Sequence, residues 1–283
     1  MEVVVERAKK RRIPNNGLIW HYTSMSVLEN FLQGKIALTH FRFLNDSKDL
    51  EYGLDLLRSL AQRSNNQHLR AAVIENEYAD VLTRGDSYLF CLSQASDSLY
   101  QWRSYAPRGG VAIGFRRADL YNALFDAVDD PKNQFTHAEL SFLKCRYDDK
   151  SVARLINKLS KRIDAENAKR PSDLMSLFKC ECTAYSLFAG ALMKVMLTQK
   201  NPSFSEEKEE RFLLSGQMRQ HVEILGEKPR IVFQSPAMAT SIGEIKLSPH
   251  GDTVRNKLLT EMLRAKYKLQ FDITESKSTY NGF

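Results

Sequence analysis

The sequence predicts an α+β fold, and three observations predict it. Candidate strands are spread along the whole 283-residue chain, helical segments of mixed polarity separate them, and the Gly-rich loops GxGxxG and GxxxxGK of doubly wound sheets are missing. A sheet with flanking helices and a helical insertion around residues 150–198 satisfies that pattern. The expected organisation is a basic leader over residues 1–16, expected to be flexible, followed by a single domain over 17–283.

The elements follow in order. Leu18 to Thr23 reads as a short strand. Ser26 and Glu29 then form an S-x-x-E capping box for a helix whose apolar face is Val27, Leu28, Phe31 and Leu32, and which Gly34 ends. Ile36 to Phe41 is strand-like, and Asn45-Asp46-Ser47 opens a helix carrying Leu50, Leu54, Leu57 and Leu60 on one side. Residues 62–86 are polar and weakly helical. The continuous apolar run Tyr88 to Leu92 predicts a strand buried on both faces. Ser98 with Gln101 caps a short helix through Tyr105, Pro107 and Gly109-Gly110 stop it, and Val111 to Phe115 is a second fully apolar strand. Residues 116–127 look helical, Leu140 to Tyr147 extended, and 152–169 a basic amphipathic helix broken by Pro171. A long buried helix is expected over about 173–198. Strands are expected at 209–214, 230–234 and 242–247, then an amphipathic helix from Thr253 to Tyr267 and a half-buried strand of Leu269, Phe271 and Ile273.

Bulk numbers narrow the function classes. Hydrophobic residues make up 43% and charged residues 27%, which excludes collagen-like and wholly disordered chains. Of the formal net charge of +7, +3 comes from residues 1–16, so the surplus on the body is too dilute to be a nucleic-acid footprint by itself. Four cysteines, Cys91, Cys145, Cys180 and Cys182, are too few for a disulfide scaffold, and no zinc-ligand spacing appears, so reduced thiols, a cytoplasmic location and no metal are expected. The most apolar stretch, Ala184 to Leu197, falls short of the ~20 residues of a membrane span. No secretory signal and no membrane partner are expected.

Three segments place polar residues where strands end. In Trp20-His21-Tyr22-Thr23-Ser24, four polar side chains can offer donors, acceptors and an aromatic face to one ligand; the bland alternative is a satisfied core histidine beside a strand packer. Ser93-Gln94 is followed by Asp97 to Tyr105, where Trp102 and Tyr105 beside Arg103 suit a nucleotide base, or else simply cover the sheet. The third, Lys200-Asn201-Pro202-Ser203-Phe204-Ser205-Glu206-Glu207-Lys208-Glu209-Glu210-Arg211, crowds carboxylates at a strand entrance. In a regular strand Glu207, Glu209 and Arg211 share one face, a grouping that would perturb a carboxylate pKa; a solvated charge run is the alternative.

Taken in order, W-H-Y-T-S, L-T-H-F-R-F-L-N-D, F-C-L-S-Q with D-S-L-Y-Q-W-R-S-Y, G-G-V-A-I-G-F and K-N-P-S-F-S-E-E-K-E-E-R resemble the bacterial family catalogued as domain of unknown function 2971, over about residues 18–283. That family in turn resembles the ADP-ribosyltransferase fold. The second resemblance implies a split β core, NAD as co-substrate, and a division of labour among matching positions. His21, with Tyr22, Thr23, Ser24 and Ser93, would hold the NAD ribose and cleft. Trp102 or Tyr105 would stack on nicotinamide, Arg103 or Arg211 would neutralise the pyrophosphate, and Glu207 and Glu209 would be the catalytic E-x-E pair. An acceptor in nucleic acid or protein, a toxin-like or phage-defence role and a regulatory or antitoxin partner are further implications. NAD hydrolysis at the same cleft, and a non-enzymatic nucleotide- or RNA-binding module, are the alternatives.

Overall fold

In the computed structural model, residues 17–45, 48–64, 66–74, 86–133, 135, 138–167, 188–216 and 221–278 are described. The leader, Asp46-Ser47, Cys180, Cys182 and most of the helix expected over 173–198 lie outside them; of that helix, residues 188–196 are helical. The protein is mixed α+β.

The chain divides into two compact units that it enters and leaves repeatedly. The first comprises residues 1–40, 86–142 and 206–283, and the second residues 41–85 and 143–205. The first unit is built on a mixed sheet of β1 (Leu18–Ser24), β2 (Lys35–His40), β3 (Ser87–Ser93), β4 (Gly110–Arg116), β5 (Glu139–Lys144), β6 (Glu209–Ser215), β7 (Glu223–Leu225), β8 (Lys228–Gln234), β9 (Ile242–Leu247) and β10 (Asp272–Glu275). Its helices are α1 (Met25–Leu32), α4 (Leu99–Tyr105), α5 (Arg117–Asp129), α7 (Pro236–Thr240) and α8 (Thr253–Tyr267). In the second, α2 (Lys48–Arg63), α3 (Gln67–Val73) and α6 (Asp149–Asn167) accompany the helical residues 188–196.

The sheet forks at β3. One edge of β3 pairs with β6 along its whole length, Ser87 opposite Ser215 through Ser93 opposite Glu209. Its other edge is shared: β2 meets it at Leu89 and Tyr88, and β1 meets it only at Ser93, opposite Trp20. From there β1 leads into the wing β1-β4-β9-β10 and β2 into the wing β2-β8-β7. Phe90, Cys91 and Leu92 lie between the two contacts.

The two faces of the sheet bury different cores. Ile19, Phe90, Leu92, Val111, Ile113, Phe115, Phe212 and Leu214 face α1 and α5 in one large apolar cluster. Trp20, Tyr22, Ala112, Trp102 and Ala106 form a smaller cluster on the opposite face, beneath α4. The strict alternation along β1 and β4 produces this division, since successive side chains of a strand point to opposite faces. Tyr88 to Leu92 forms a central strand as its unbroken apolar run requires.

Two expectations need correction. The S-x-x-E box at Ser26 does not cap α1: the helix starts at Met25 with Ser24 as N-cap residue, and Glu29 instead accepts hydrogen bonds from Tyr267 Oη at 2.6 Å and Lys266 Nζ at 2.7 Å. The last strand begins at Asp272, not at Leu269, because α8 runs to Tyr267 and turns out through Lys268 at φ +52°.

In the second unit Leu57, Ala61, Leu69, Ala72, Val73, Val152, Ile156, Leu192 and Met196 are buried. Asn66 caps α3 by accepting from Leu69 N at 3.0 Å, and its amide donates to Ser160 Oγ at 2.6 Å, so one side chain fixes both a helix start and a neighbouring helix.

Candidate functional site

The candidate site lies where β3 ends and β6 begins. Ser93, Gln101, Glu207, Glu209, Glu210 and Arg211 are all buried there, each less than 7% exposed. Burying one carboxylate without compensation costs several kcal/mol, so three within four residues demand partners.

Backbone geometry arranges them. Pro202–Glu207 is a single 3-10 stretch, Lys208 takes the left-handed φ of +45°, and β6 starts only at Glu209. A lysine in that conformation costs about 1–3 kcal/mol, a strain that persists only where its surroundings enforce it. The Lys208 carbonyl accepts from Gln94 N at 3.1 Å, and the Glu207 carbonyl accepts from Ser93 Oγ at 2.6 Å and Gln101 Nε2 at 3.4 Å. Glu207 therefore does not belong to the strand, and the expected alternation holds for Glu209 and Arg211 alone. Those two lie side by side: Arg211 Nε donates to Glu209 Oε1 at 2.8 Å and Arg211 Nη2 to Glu209 Oε2 at 3.1 Å. A forked guanidinium of this kind fixes the orientation of the carboxylate.

Glu210 points to the opposite face, paired across from Leu92. Arg117, at the start of α5, donates to it through both Nη1 and Nη2, and Gln94 Nε2 donates to it as well. Tyr121 nearby has its hydroxyl pKa pushed up, first by burial and then by the Glu210 charge. The Glu210–Arg117 pair and Gln94 were not picked out from the sequence. Arg117 is remote in the chain, and nothing local in R-R-A-D-L marks it; the signal that could have found Glu210 is the strand alternation itself, which sets it alone on the face of Phe212 and Leu214.

His21 occupies the fork. Its Nδ1 lies 2.9 Å from the Cys91 carbonyl of β3, and a carbonyl only accepts, so the proton sits on Nδ1 and Nε2 carries the lone pair. The ring lies against Phe31 at 5.2 Å and Phe90 at 4.7 Å between centroids. Burial pushes its pKa down to about 4, with the Arg230 charge adding to the effect and the Cys91 bond opposing it. The imidazole is neutral at physiological pH.

The remaining candidates fall into two groups. Tyr22 and Trp102 are on the Ser93 and Glu209 side of the sheet, in T-shaped contact at 4.7 Å, and Trp102 is wholly buried. The Tyr22 hydroxyl donates to Ala95 O at 2.9 Å and accepts from Ser98 N at 3.0 Å, and burial raises its pKa. Trp102 Nε1 donates to Asp97 Oδ1 at 2.7 Å. Arg103 and Tyr105 are exposed on the outer side of α4, and Ser24 bonds Ser26 Oγ at 2.8 Å at the start of α1. Thr23, opposite Val111, shares the His21 face. Ser93, Tyr22, Trp102, Glu209 and Arg211 are thus on one side of the sheet, and His21, Thr23 and Glu210 on the other; the structure does not bring His21 and Trp102 to a common face.

Fold and site together define an α+β protein with a forked mixed sheet and a buried carboxylate–guanidinium centre at the entry of β6. Residues 101–212 match the model of a family described as protein of unknown function (DUF2971), which bears out the family resemblance over that segment, where G-G-V-A-I-G-F and K-N-P-S-F-S-E-E-K-E-E-R lie. No curated protein and no solved structure matches the chain. Among the described residues no helix is long and apolar enough to cross a membrane.

Proposed function

We propose that this protein is an NAD-consuming enzyme of the ADP-ribosyltransferase type, with Glu207 and Glu209 as its acids. The observation that carries this reading is the strand entrance: a carboxylate fixed by Arg211 beside a second buried acid, with the strained Lys208 between them. Cleavage of the nicotinamide glycosidic bond sends the bonding pair to the ring nitrogen, releases neutral nicotinamide and leaves positive charge on the ribose. An ionised acid accepting from the ribose 2′-hydroxyl opposes that charge, an effect of about 3 kcal/mol for a well-placed group. The second acid takes the proton of the attacking acceptor, or of water in the hydrolytic variant.

Incubation with NAD labelled in the adenylate and in the nicotinamide tests it. Expected are nicotinamide release by the wild type and a loss of at least about 100-fold in Glu207→Gln or Glu209→Gln. No release by the wild type, or undiminished release by both variants, overturns it. A second reading is a nucleotide-binding module without chemistry, which like the first gains no stacking face from Trp102, whose indole is wholly buried with its N–H already bonded. That reading expects a thermal shift with NAD or ADP-ribose and no turnover.

A further inference from the structure

Helix α8 turns an apolar row to solvent. Val254 is 81% exposed, Leu258 58% and Met262 62%, and with a spacing of four residues they form one continuous row along the helix. Leu259, at 40%, borders it. The side that faces the protein is mixed: Leu263 and Tyr267 pack against the large apolar cluster, Thr260 is buried, Asn256 is half-buried, and Tyr267 also reaches Glu29 and Gln33 through its hydroxyl. The solvent face of a surface helix is ordinarily polar, so a continuous exposed apolar row there is unusual.

Cations flank the row on both sides. Arg255 and Lys266 lie along one edge and Lys257 and Lys268 along the other, all exposed. The acids near the row are Asp252 at the N-cap of the helix, Glu261 on the helix itself, Glu275 at 3.4 Å from Lys257, and Glu29 at 2.7 Å from Lys266. Exposed pairs of that kind hold their lysines weakly, so both ammonium groups remain able to change partners.

The shape and charge of the row select its occupant. A few hundred Å² of apolar surface is at the low end for any specific protein interface, where roughly 1,000 Å² in total is needed. A second copy would also bring two sets of cations face to face. A phosphate-rich lipid surface adds electrostatic attraction to a small apolar contact, takes apolar side chains between its headgroups, and is met by lysine and arginine stems along both margins of an interfacial helix. We propose that α8 docks this protein on anionic lipid surfaces, with the Val254, Leu258 and Met262 row entering the headgroup region and Arg255, Lys257, Lys266 and Lys268 meeting the lipid phosphates. The contact lies on the surface and asks for no membrane span, so it departs from the expectation that no membrane partner exists. It is independent of the chemistry proposed for the β6 entrance.

Sedimentation of the full chain with large vesicles tests the proposal, comparing phosphatidylcholine alone with phosphatidylcholine containing roughly 30% phosphatidylserine. Expected are co-sedimentation with the anionic vesicles only, weakening with salt, and a drop of at least about tenfold in Leu258→Gln/Met262→Gln. That double variant leaves every cation in place, including those of the leader, and its positions are exposed, so its thermal midpoint should match the wild type. Binding unaffected by the double variant assigns the lipid contact elsewhere and overturns the proposal. So does the absence of binding to anionic vesicles at low salt. A concentration-dependent dimer that the double variant abolishes, or an acidic protein partner that competes for the row in the absence of lipid binding, would give the row to another occupant and equally overturn it.

Discussion

At the scale of single residues, the imidazole of His21 links stability to pH. Its pKa is about 4 in the folded chain, against ~6.5 when exposed, so the unfolded state binds the additional proton. The stability this group confers is complete above pH ~6.5, declines as the pH falls towards about 4, and changes no further below that, a total of about 3 kcal/mol. Urea midpoints measured between pH 7 and 4 should fall more steeply for the wild type than for His21→Leu, and the His21 ring protons should titrate by NMR with a midpoint of about 4. Glu210 supplies a second residue-scale prediction. Removing Arg117 leaves a carboxylate that is 2% exposed with only Gln94 beside it, so Arg117→Met should cost about 3–5 kcal/mol. Arg117→Met combined with Glu210→Met should recover most of that loss, because no buried charge then remains. Thermal unfolding of the two variants distinguishes a buried pair from a solvated one, for which neither change would matter.

At the scale of elements, short tethers hold α4 over the sheet. Asp97 receives Trp102 Nε1, Ser276 Oγ at 2.6 Å and Lys277 N at 2.7 Å, and these donors keep its carboxyl below the usual range although burial pulls the other way. Asp97→Ala strands the buried indole N–H, so a loss of about 3 kcal/mol is expected, read as a lowered midpoint with faster hydrogen exchange in α4. The turn between α1 and β2 is set by Gly34, whose φ is +73° and whose added Cβ would stand 2.1 Å from Ser235 O. These cases mark what local patterning conveys and what it omits. Apolar runs such as Tyr88 to Leu92 and the Ser98 cap are short-range signals, and the elements appear where those signals lie. The choice of Ser24 over Ser26 as N-cap depends on Lys266 and Tyr267 claiming Glu29, partners more than two hundred residues away, and no window of sequence contains them. Lys208 is similar: nothing in E-E-K-E-E announces a left-handed residue, because the conformation is imposed by Gln94, Ser93 and Gln101 from other elements.

At the scale of the whole molecule, chain order and spatial order diverge, and this limited how much of the site the sequence could disclose. Ser93 and Glu209 are visible as polar residues at strand ends and His21 as a polar residue within a strand, but which sheet face each occupies depends on register, and register depends on pairing between strands about seventy to one hundred and thirty residues apart. The same divergence bears on the family match. Residues 101–212 begin at the third residue of α4, leave the first unit after Phe142, and return to it at Glu206, ending within β6. A fragment with those bounds contains β4 without its neighbours β1 and β9, and β6 without β3, which pairs with it residue for residue. Its second-unit portion likewise lacks α2 and α3, which carry Leu57, Leu69 and Val73 of that core. Strand edges so stripped expose unpaired N–H and C=O groups and both apolar faces, which favours aggregation over folding. Residues 101–212 expressed alone should therefore lack a cooperative thermal transition and dispersed amide resonances, whereas residues 17–278 should show both. A cooperative transition in the short fragment would mean that the matched segment is itself the folding unit, and that the strands framing it here serve some purpose other than stability.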